Sequence, residues 1–340
     1  MSDQPDSWSR REFVNGLALA GTAGLLGVRP THVAAESPPE TTRLRLAWTG
    51  STCQAPQYVA EELLRAEGFT DVQYVDLAEA GGGGIAKRLG AGEADLTQNF
   101  IGPLLLQLDA GDPIVLLAGG HVGCIELVGT DRVRTVRDLR GKTVALNDKV
   151  TSYVFFDSFV AYVGLDPRKD INIVFHPARE AMPLLEAGKV DAFLGFPPFT
   201  QEMRARKLGR VVVSTATDRP WSTYFCCLVA GNRDFVRNHP VATKRAVRAL
   251  LKAADICAVD PERAARTLVD RGYAKEYGGA LQLMKDLPYG KWRDYDPEDT
   301  VRFYGLRLHE IGMIKSHPKQ LIVQGTDWRF LAALKKELKG

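Results

Sequence analysis

Two loops rich in hydroxyl and amide side chains carry the residue types best suited to hold a small anion. Residues 49–53 read Thr-Gly-Ser-Thr-Cys and residues 147–152 read Asn-Asp-Lys-Val-Thr-Ser, each between a predicted strand and a predicted helix. Hydroxyl groups and free backbone N–H groups at the positive end of a helix attract negative charge. Ordinary helix capping by Thr151 or Ser152 is the alternative role for the second loop. These residue types favour binding over bond making.

Aromatic residues near predicted strand ends would supply the apolar walls of the same site. A cleft lined by aromatic rings and a few polar groups is the usual form of a small-molecule pocket. Packing between two lobes is the alternative role for each ring. The candidates are Trp48, Phe100, Phe196, Trp221, Tyr224 and Phe225.

Searches for a nucleophile or a metal site give little. His121 alone among six scattered histidines sits at a predicted strand end facing the crevice, as a ligand contact or as a hydrogen-bonded structural residue. The five cysteines are an odd number without C-x-x-C spacing, which predicts neither a disulfide framework nor a zinc site. Cys226 and Cys227 should point to opposite faces of a strand and remain inert. We therefore expect no metal and no catalytic residue.

The glycine run 81–84 resembles part of a dinucleotide-binding fingerprint. It does not follow the first strand of the chain, and no acidic residue ends a second strand about 20 positions later, as that fingerprint requires. It also lacks the Lys-Ser/Thr pair of a phosphate-binding loop. We expect a flexible loop whose backbone approaches a ligand or the other lobe, and no cofactor.

An internal repeat indicates how these residues are positioned. In each copy a helix ends at small residues suited to a left-handed cap, an acidic residue follows, and an apolar strand runs to an aromatic. Ligands of open α/β sheets bind beyond the carboxyl ends of the strands, where both aromatics would lie. At an offset of 96 residues (185 minus 89), Leu89, Ala91, Gly92, Asp95 and Phe100 match Leu185, Ala187, Gly188, Asp191 and Phe196.

Strands and helices alternate along most of the chain, which predicts an α/β protein with mostly parallel sheets flanked by helices. The order indicates two lobes joined by two hinge crossings. Residues 42–124 and 226–340 would form lobe I, and residues 125–225 would form lobe II. The helical tail after Pro240 should pack on lobe I.

Length and charge fit this organisation. The 340 residues are enough for two lobes with full cores, and 45% hydrophobic with 25% charged residues is ordinary for a soluble protein. The net charge of +3 comes from scattered residues of both signs. No nucleic-acid partner is therefore expected.

Residues 1–35 have the form of a twin-arginine export signal. Arg10 and Arg11 precede an uncharged stretch, 13–28, that is too short to span a bilayer, and Val33-Ala34-Ala35 offers small residues for cleavage. A retained amphipathic helix is the alternative. Export by this route predicts a periplasmic protein.

Four segments in this order resemble the periplasmic substrate-binding proteins of ABC importers, in the nitrate/sulfonate/taurine and thiamine-precursor group. They are 55–60, 89–100, 138–145 and 185–199. The resemblance implies a two-lobed periplasmic-binding-protein fold of type II-like form that closes on its ligand. It also implies a pocket formed by Trp48, Gly50, Ser51, Thr52, Gln54, Phe100, Ile101, Thr151, Ser152 and Phe196. Phe196-Pro197-Pro198 stands where many members have a Trp-Glu-Pro-like sequence, so one acidic contact is missing.

We therefore expect a monomeric solute-binding protein, not an enzyme, that delivers a small organic or oxo-anion to a permease in the inner membrane. An enzyme on the same bilobal fold, such as a dehydratase or a pyrimidine synthase, is the first alternative. A periplasmic ligand sensor is the second.

Overall fold

The described part of the chain is built around two five-stranded sheets. The computed structural model describes residues 36–338, so the predicted export signal at 1–35 lies outside the described residues. The strands of the first sheet are β1 (Arg43–Trp48), β2 (Asp71–Asp76), β3 (Leu96–Phe100), β4 (Ile114–Val122) and β10 (Phe225–Asn232). The strands of the second sheet are β5 (Glu126–Gly129), β6 (Thr143–Leu146), β7 (Asn172–Phe175), β8 (Ala192–Gly195) and β9 (Arg210–Ser214).

Helices follow most strands and continue through the carboxyl-terminal third. The first eight are α1 (Ala55–Val59), α2 (Glu61–Ala66), α3 (Gly81–Gly90), α4 (Ile101–Asp109), α5 (Thr151–Tyr162), α6 (Pro167–Asp170), α7 (Ala178–Glu186) and α8 (Phe199–Ala205). The tail contributes α9 (Arg233–Asn238), α10 (Pro240–Val259), α11 (Pro261–Asp270), α12 (Tyr277–Asp286), α13 (Pro297–Glu310), α14 (Pro318–Gly325) and α15 (Arg329–Glu337).

Both sheets have the same topology. The first has the order β2-β1-β3-β10-β4 and the second β7-β6-β8-β5-β9. In each sheet the penultimate strand, β10 or β5, runs antiparallel to both neighbours, whereas the first three strands in the order pair in parallel. The chain crosses between sheets after β4 and returns before β10. The prediction of a two-lobed α/β fold with mostly parallel sheets and two crossings is confirmed.

The internal repeat marks equivalent positions in the two lobes. Gly92 (φ +78°) and Gly188 (φ +65°) both lie in the left-handed region just after a helix, which glycine adopts without a Cβ clash. Asp95 then accepts the Arg45 N–H at 2.7 Å, and Asp191 accepts the Thr143 N–H at 3.0 Å. Each carboxylate thus ties the start of its middle strand to the neighbouring parallel strand.

The tail covers the first lobe. Helix α10 packs against α1, α2 and β4, and α13 packs against α4 and β10. Trp292, Tyr289 and Tyr304 are among the largest side chains that are fully buried there. One tail helix, α12, also reaches α8 of the second lobe. No helix within residues 36–338 combines the length and apolarity needed to cross a membrane.

Candidate functional site

A cleft of about 1490 Å³ lies between the carboxyl ends of the strands of the two sheets. Eight of the thirteen residues predicted for the site line it, from β1 and its following loop, from the ends of β3 and β8, and from the start of α5. These eight are Trp48, Gly50, Ser51, Thr52, Gln54, Phe100, Thr151 and Phe196. These eight residues were predicted because ligands of α/β sheets bind beyond the carboxyl ends of the strands, and in the structure they line one common cleft.

The aromatic residues at the repeated strand ends meet across this cleft. The ring centroids of Phe100, at the end of β3, and Phe196, directly after β8, are 6.0 Å apart at an interplanar angle of 63°. Phe100 also has an edge contact with Phe155 of α5 at 6.5 Å. This edge-to-face arrangement is the favoured geometry for aromatic pairs. It forms an apolar contact between the two lobes at the base of the cleft.

The loop after β1 presents two buried polar atoms that have no hydrogen-bond partner. They are Thr52 Oγ1 and Gln54 Nε2, in residues that are 7% and 0% exposed. Thr49 Oγ1 donates to Gln54 Oε1, so the amide orientation leaves the two Nε2 protons available. Buried polar groups are normally paired, and an unpaired one costs about 1–3 kcal/mol. Both side chains line the cleft, where a bound ligand could accept hydrogen bonds from them.

The loop before α5 is organised differently from the expectation for an anion site. The Asp148 carboxylate accepts hydrogen bonds from the Val150 N–H at 2.8 Å, the Thr151 N–H at 2.5 Å and the Ser152 hydroxyl at 3.0 Å. Asp148 therefore caps the helix, in place of Thr151 or Ser152. This carboxylate already neutralises the positive helix end that was expected to attract an anion.

The five remaining predicted residues do not line the cleft. Ile101 and Ser152 are buried just behind it, each next to a lining residue. The Trp221 indole donates to Ser158 Oγ at 3.0 Å, and the Tyr224 ring stacks on Phe303 at 4.1 Å. These two aromatics pack the second crossing against α5 and α13.

His121 is buried behind the loop after β1. It is 0% exposed, the centre of its ring lies 5.6 Å from that of Tyr289, and one of its ring nitrogens lies within 4.8 Å of the Cys53 and Cys124 thiols. The sequence placed His121 at the end of β4 correctly. The prediction that its side chain faces the cleft was wrong. All nine residues of β4 are buried, so the apolar pattern does not reveal which way each side chain points.

Three cations line the cleft without an ion pair to a carboxylate among the described residues. They are Lys149, whose Nζ lies 5.5 Å from the Phe175 ring, Arg179, whose Cζ lies 5.8 Å from the Phe199 ring, and Lys275. The lining carboxylates have partners within the protein. Asp148 caps α5, Glu202 pairs with Arg206 at 3.3 Å, and Glu276 accepts the Gly279 N–H at 2.6 Å. The unpaired charge facing the cleft is therefore positive.

An ion-pair cluster connects the lobes at one edge of the cleft. Arg204 of α8 pairs with Glu126 of β5 at 3.2 Å and with Asp286 of α12, while Gln201 donates to Asp286 at 3.4 Å. Burial raises the pKa of Glu126, and the Arg204 guanidinium opposes that rise. Arg204 is thus already committed to carboxylates, in contrast to Arg179.

Sequence reasoning missed the contribution of the tail. Residues 272–283 line one side of the cleft, including Tyr273, whose ring stacks on Tyr58 at 4.4 Å. The only signal in the sequence was the glycine-rich, charged segment that begins at Gly272, between two helical patterns, which indicated an exposed loop. Arg179 was missed although it starts the helix after β7, a position that the strand-end rule covers.

Comparisons with solved structures agree with this architecture. The periplasmic nitrate-binding protein NrtA from Synechocystis PCC 6803 is similar with a TM-score of 0.74 and 16% identity, covering 89% of this chain and 90% of that chain. The alkanesulfonate-binding protein SsuA from Xanthomonas axonopodis pv. citri, bound to MOPS, gives a TM-score of 0.63 and 17% identity over 81% of this chain and 96% of that chain. The aliphatic sulphonate binding protein SsuA from Escherichia coli gives 0.66 and 16% over 82% and 96%.

Sequence comparisons identify the family of the chain. A curated relative, the nitrate import ATP-binding protein NrtC of Synechocystis sp. (strain PCC 6803), is 27% identical over 158 residues. That match covers 43% of this chain and 23% of the relative, so the chain spans about a quarter of the relative's length. The sequence model of the NMT1-like family matches residues 37–269, which is more than half of the chain. The chain therefore belongs to the NMT1-like family.

Proposed function

We propose that the protein is a solute-binding protein that captures a small organic or oxo-anion in the cleft between its lobes. The observation that carries this proposal is the pair of unpartnered buried atoms at the base of the cleft, Thr52 Oγ1 and Gln54 Nε2. Both are hydrogen-bond donors toward an acceptor-only ligand, since the Gln54 carbonyl oxygen already accepts from Thr49. An anion with several oxygen atoms would satisfy both at once.

The charges around the cleft support an anion over a cation. Lys149, Arg179 and Lys275 carry positive charge that no neighbouring carboxylate neutralises among residues 36–338, whereas Asp148, Glu202 and Glu276 are committed to helix caps or an ion pair. Clefts lined by charge of one sign concentrate the opposite ion. The resulting field favours nitrate, sulfonates and similar ligands.

The apolar lining supports a ligand with an organic part. Rings of Trp48, Phe100, Phe196, Phe199 and Tyr273 face the same volume as the polar donors. A sulfonate with a short alkyl chain would place its oxygens on the loop after β1 and its carbon atoms against the rings. Relatives of the same fold that bind nitrate or MOPS support ligands of this class.

We propose that the protein works outside the cytoplasm, exported by the twin-arginine pathway, and hands its ligand as a monomer to an ABC permease in the inner membrane. Its fold relatives are periplasmic binding proteins, which supports this location. Ligand release without turnover is the expected chemistry, because the lining carboxylates hold structural partners. An enzyme on this fold and a ligand sensor remain the competing functions.

The test is ligand binding by a matched pair of variants. Nitrate, methanesulfonate and taurine are titrated into the purified protein by calorimetry and by thermal unfolding, where ligand at 100 times Kd stabilises a protein by about 2.7 kcal/mol. Thr52→Val removes one cleft donor and should weaken binding about tenfold. Thr130→Val removes another buried and unpartnered hydroxyl, away from the cleft, and should leave Kd unchanged.

Two outcomes would overturn the proposal. The first is the absence of a thermal shift with every anion of the panel at millimolar concentration. The second is equal Kd values for wild type and Thr52→Val. Native mass spectrometry of protein from its own host would identify a trapped ligand, and turnover of that ligand would favour the enzyme function.

A further inference from the structure

Four of the five cysteines converge on His121, although they come from three separate parts of the chain. Cys53 lies in the loop after β1, His121 and Cys124 lie at the first crossing, and Cys226 and Cys227 lie at the start of β10. All five residues are between 0% and 4% exposed. The fifth cysteine, Cys257, is buried elsewhere in α10. The spacing along the sequence gives no sign of this cluster.

The donor atoms are close enough to share one ion. Cys53 Sγ, Cys124 Sγ and a ring nitrogen of His121 all lie within 4.8 Å of one another. A tetrahedral zinc ion, with Zn–S of about 2.3 Å and Zn–N of about 2.0–2.1 Å, holds its ligand atoms about 3.5–3.8 Å apart. Small rotamer adjustments would bring the three atoms to that spacing.

His121 has one ring nitrogen without a hydrogen-bond partner. Its Nδ1 lies 3.3 Å from the Val122 carbonyl oxygen, whereas Nε2 is buried and has no hydrogen-bond partner. With the proton on Nδ1, Nε2 carries the lone pair. Metal-ligating histidines normally donate their second N–H to a carbonyl or carboxylate, which fixes this tautomer. The arrangement therefore leaves Nε2 free to act as a metal ligand.

Cys124 adopts a backbone conformation that is costly for its residue type. Its φ is +86°, in the left-handed region, and Gly123 before it has φ +84°. For a residue with a Cβ this conformation costs about 1–2 kcal/mol. Such outliers cluster at functional sites, because the surroundings must hold them in place. Here the turn places the Cys124 thiol beside Cys53 at the point where the chain leaves the first lobe.

Cys227 lies beside these three residues and is the candidate for a fourth ligand. It is the register partner of His121 in the β10–β4 pair, and its thiol interacts electrostatically with both His121 and Cys53. Register shifts on both sides of Cys227 interrupt the alternation expected of β10, so the Cys226 and Cys227 thiols both reach Cys124. The expectation that they point to opposite faces fails because of this bulge.

We propose that Cys53, His121, Cys124 and Cys227 bind one zinc ion, which ties the cleft loop to both crossings between the lobes. Three thiolates and one imidazole are a donor set of structural zinc sites, and soft sulfur ligands exclude Mg²⁺ and Ca²⁺. Full burial leaves no open coordination position for a substrate. The proposal does not depend on which solute, if any, the cleft binds.

A disulfide between Cys124 and Cys226 is the competing state. Their Sγ atoms lie 2.9 Å apart, closer than two thiolates on one zinc ion would lie. Oxidation of this pair would remove Cys124 from the metal site. Cys226 is therefore the residue that separates the two states, because it belongs to the disulfide and not to the zinc site.

The experiment measures zinc directly. The full chain is purified under reducing conditions, incubated with ZnCl₂, desalted and analysed by elemental mass spectrometry. Wild type, Cys226→Ser and the matched control Cys257→Ser should retain about one zinc per chain, while Cys53→Ser and His121→Asn should retain less than about a fifth of that amount. Chelator should lower the melting temperature of the first three proteins.

A spectroscopic measurement keeps the test decisive if a variant does not fold. Co²⁺ added to the reduced wild type should give thiolate charge-transfer absorption in the near ultraviolet and the visible bands of a tetrahedral site. The proposal is overturned if reduced wild type holds no zinc and shows no such bands. The proposal is also overturned if Cys53→Ser and His121→Asn retain as much zinc as wild type. It is overturned as well if peptide mapping finds a Cys124–Cys226 disulfide and the protein takes up no zinc after that disulfide has been reduced.

Discussion

The rings of Phe100 and Phe196 lie 6.0 Å apart, edge to face, although one ends a strand of the first sheet and the other follows a strand of the second. They occupy equivalent positions in the internal repeat. Their contact means that the two lobes touch through the same residue of the same structural unit. The contact energy should therefore be measurable as a coupling between the lobes.

A double-mutant cycle tests that coupling. Phe100→Leu and Phe196→Leu, singly and together, should show an interaction of about 0.5–1.5 kcal/mol in the free energy of unfolding, because each substitution removes the same ring pair. Chemical denaturation measures it. The control cycle pairs Phe100→Leu with Phe199→Leu, whose ring packs on Phe196 at 6.1 Å, and should be nearly additive. Additivity in both cycles would mean that the ring pair contributes nothing between the lobes.

Arg179 should govern anion affinity. It lines the cleft, and its guanidinium has no carboxylate partner among the described residues. An anionic ligand can therefore form an ion pair with it. Arg179→Ala should weaken nitrate or methanesulfonate binding about three- to tenfold, and added salt should reduce the difference. Titration calorimetry at two ionic strengths checks both.

Arg266 is the matched control for Arg179. Its Cζ lies 5.9 Å from the Tyr277 ring, a similar cation–π contact, and it does not line the cleft. Arg266→Ala should leave the Kd unchanged. Equal effects of the two substitutions would indicate a general loss of positive charge, and no effect of either would remove Arg179 from the site.

Asp157 should make stability depend on pH. It lies in α5, is 2% exposed, and its Oδ2 has no hydrogen-bond partner. Burial raises the pKa of Asp157 from 3.8 to about 6, against the opposing charges of Arg307 and Arg168. Between these two pKa values the folded state binds the proton more tightly than the unfolded state does. The free energy of unfolding therefore falls as pH rises from about 4 to above 6, by up to about 2–3 kcal/mol from this group.

Asp157→Asn removes that dependence. In urea denaturation, the variant should gain stability relative to wild type as pH rises from about 4 to about 7.5. Asp166→Asn is the control of opposite sign, because the Arg168 N–H lowers the pKa of Asp166. Its variant should lose stability relative to wild type as pH rises from below that lowered pKa to about 4, and the difference should then stay constant up to about pH 7.5. A constant difference between Asp157→Asn and wild type would show that Asp157 stays ionised in the folded protein.

Gly120 should tolerate no side chain. A Cβ there would overlap the Gln98 amide and lie 2.9 Å from the Cys227 carbonyl oxygen, which belongs to the backbone of β10. Gly120→Ala should lower the free energy of unfolding by about 1–3 kcal/mol. Gly83 of α3 has no atom within 4 Å of the same position, so Gly83→Ala should be neutral or stabilise by up to about 1 kcal/mol. Thermal unfolding compares them, and equal melting temperatures would contradict the packing argument.

The sequence predicted the elements whose signals are local. The helix cap at Gly92, the acidic residue at Asp95 and the strand ending at Phe100 each depend on neighbours within a few positions, and their copies confirmed one another. The loop after β1 reached the cleft as expected because a strand end fixes its place.

Features that depend on distant partners escaped prediction. His121 lies on a strand buried on both faces, so apolar periodicity could not say which face its ring takes. The thiols of Cys53, Cys124 and Cys227 meet only because the chain returns after β9 to enter the first sheet. Tyr273 reaches the cleft for a similar reason, from a tail whose helical pattern specifies no docking site.

The position of β10 also constrains the order in which the protein can form. The strands β1 to β4 are made first, but β10 lies between β3 and β4, so β3 has no partner on that side until residues 225–232 exist. The second sheet, by contrast, comes from the single continuous stretch 126–214. During synthesis the second sheet can therefore be completed while the facing edges of β3 and β4 in the first sheet are still unpaired.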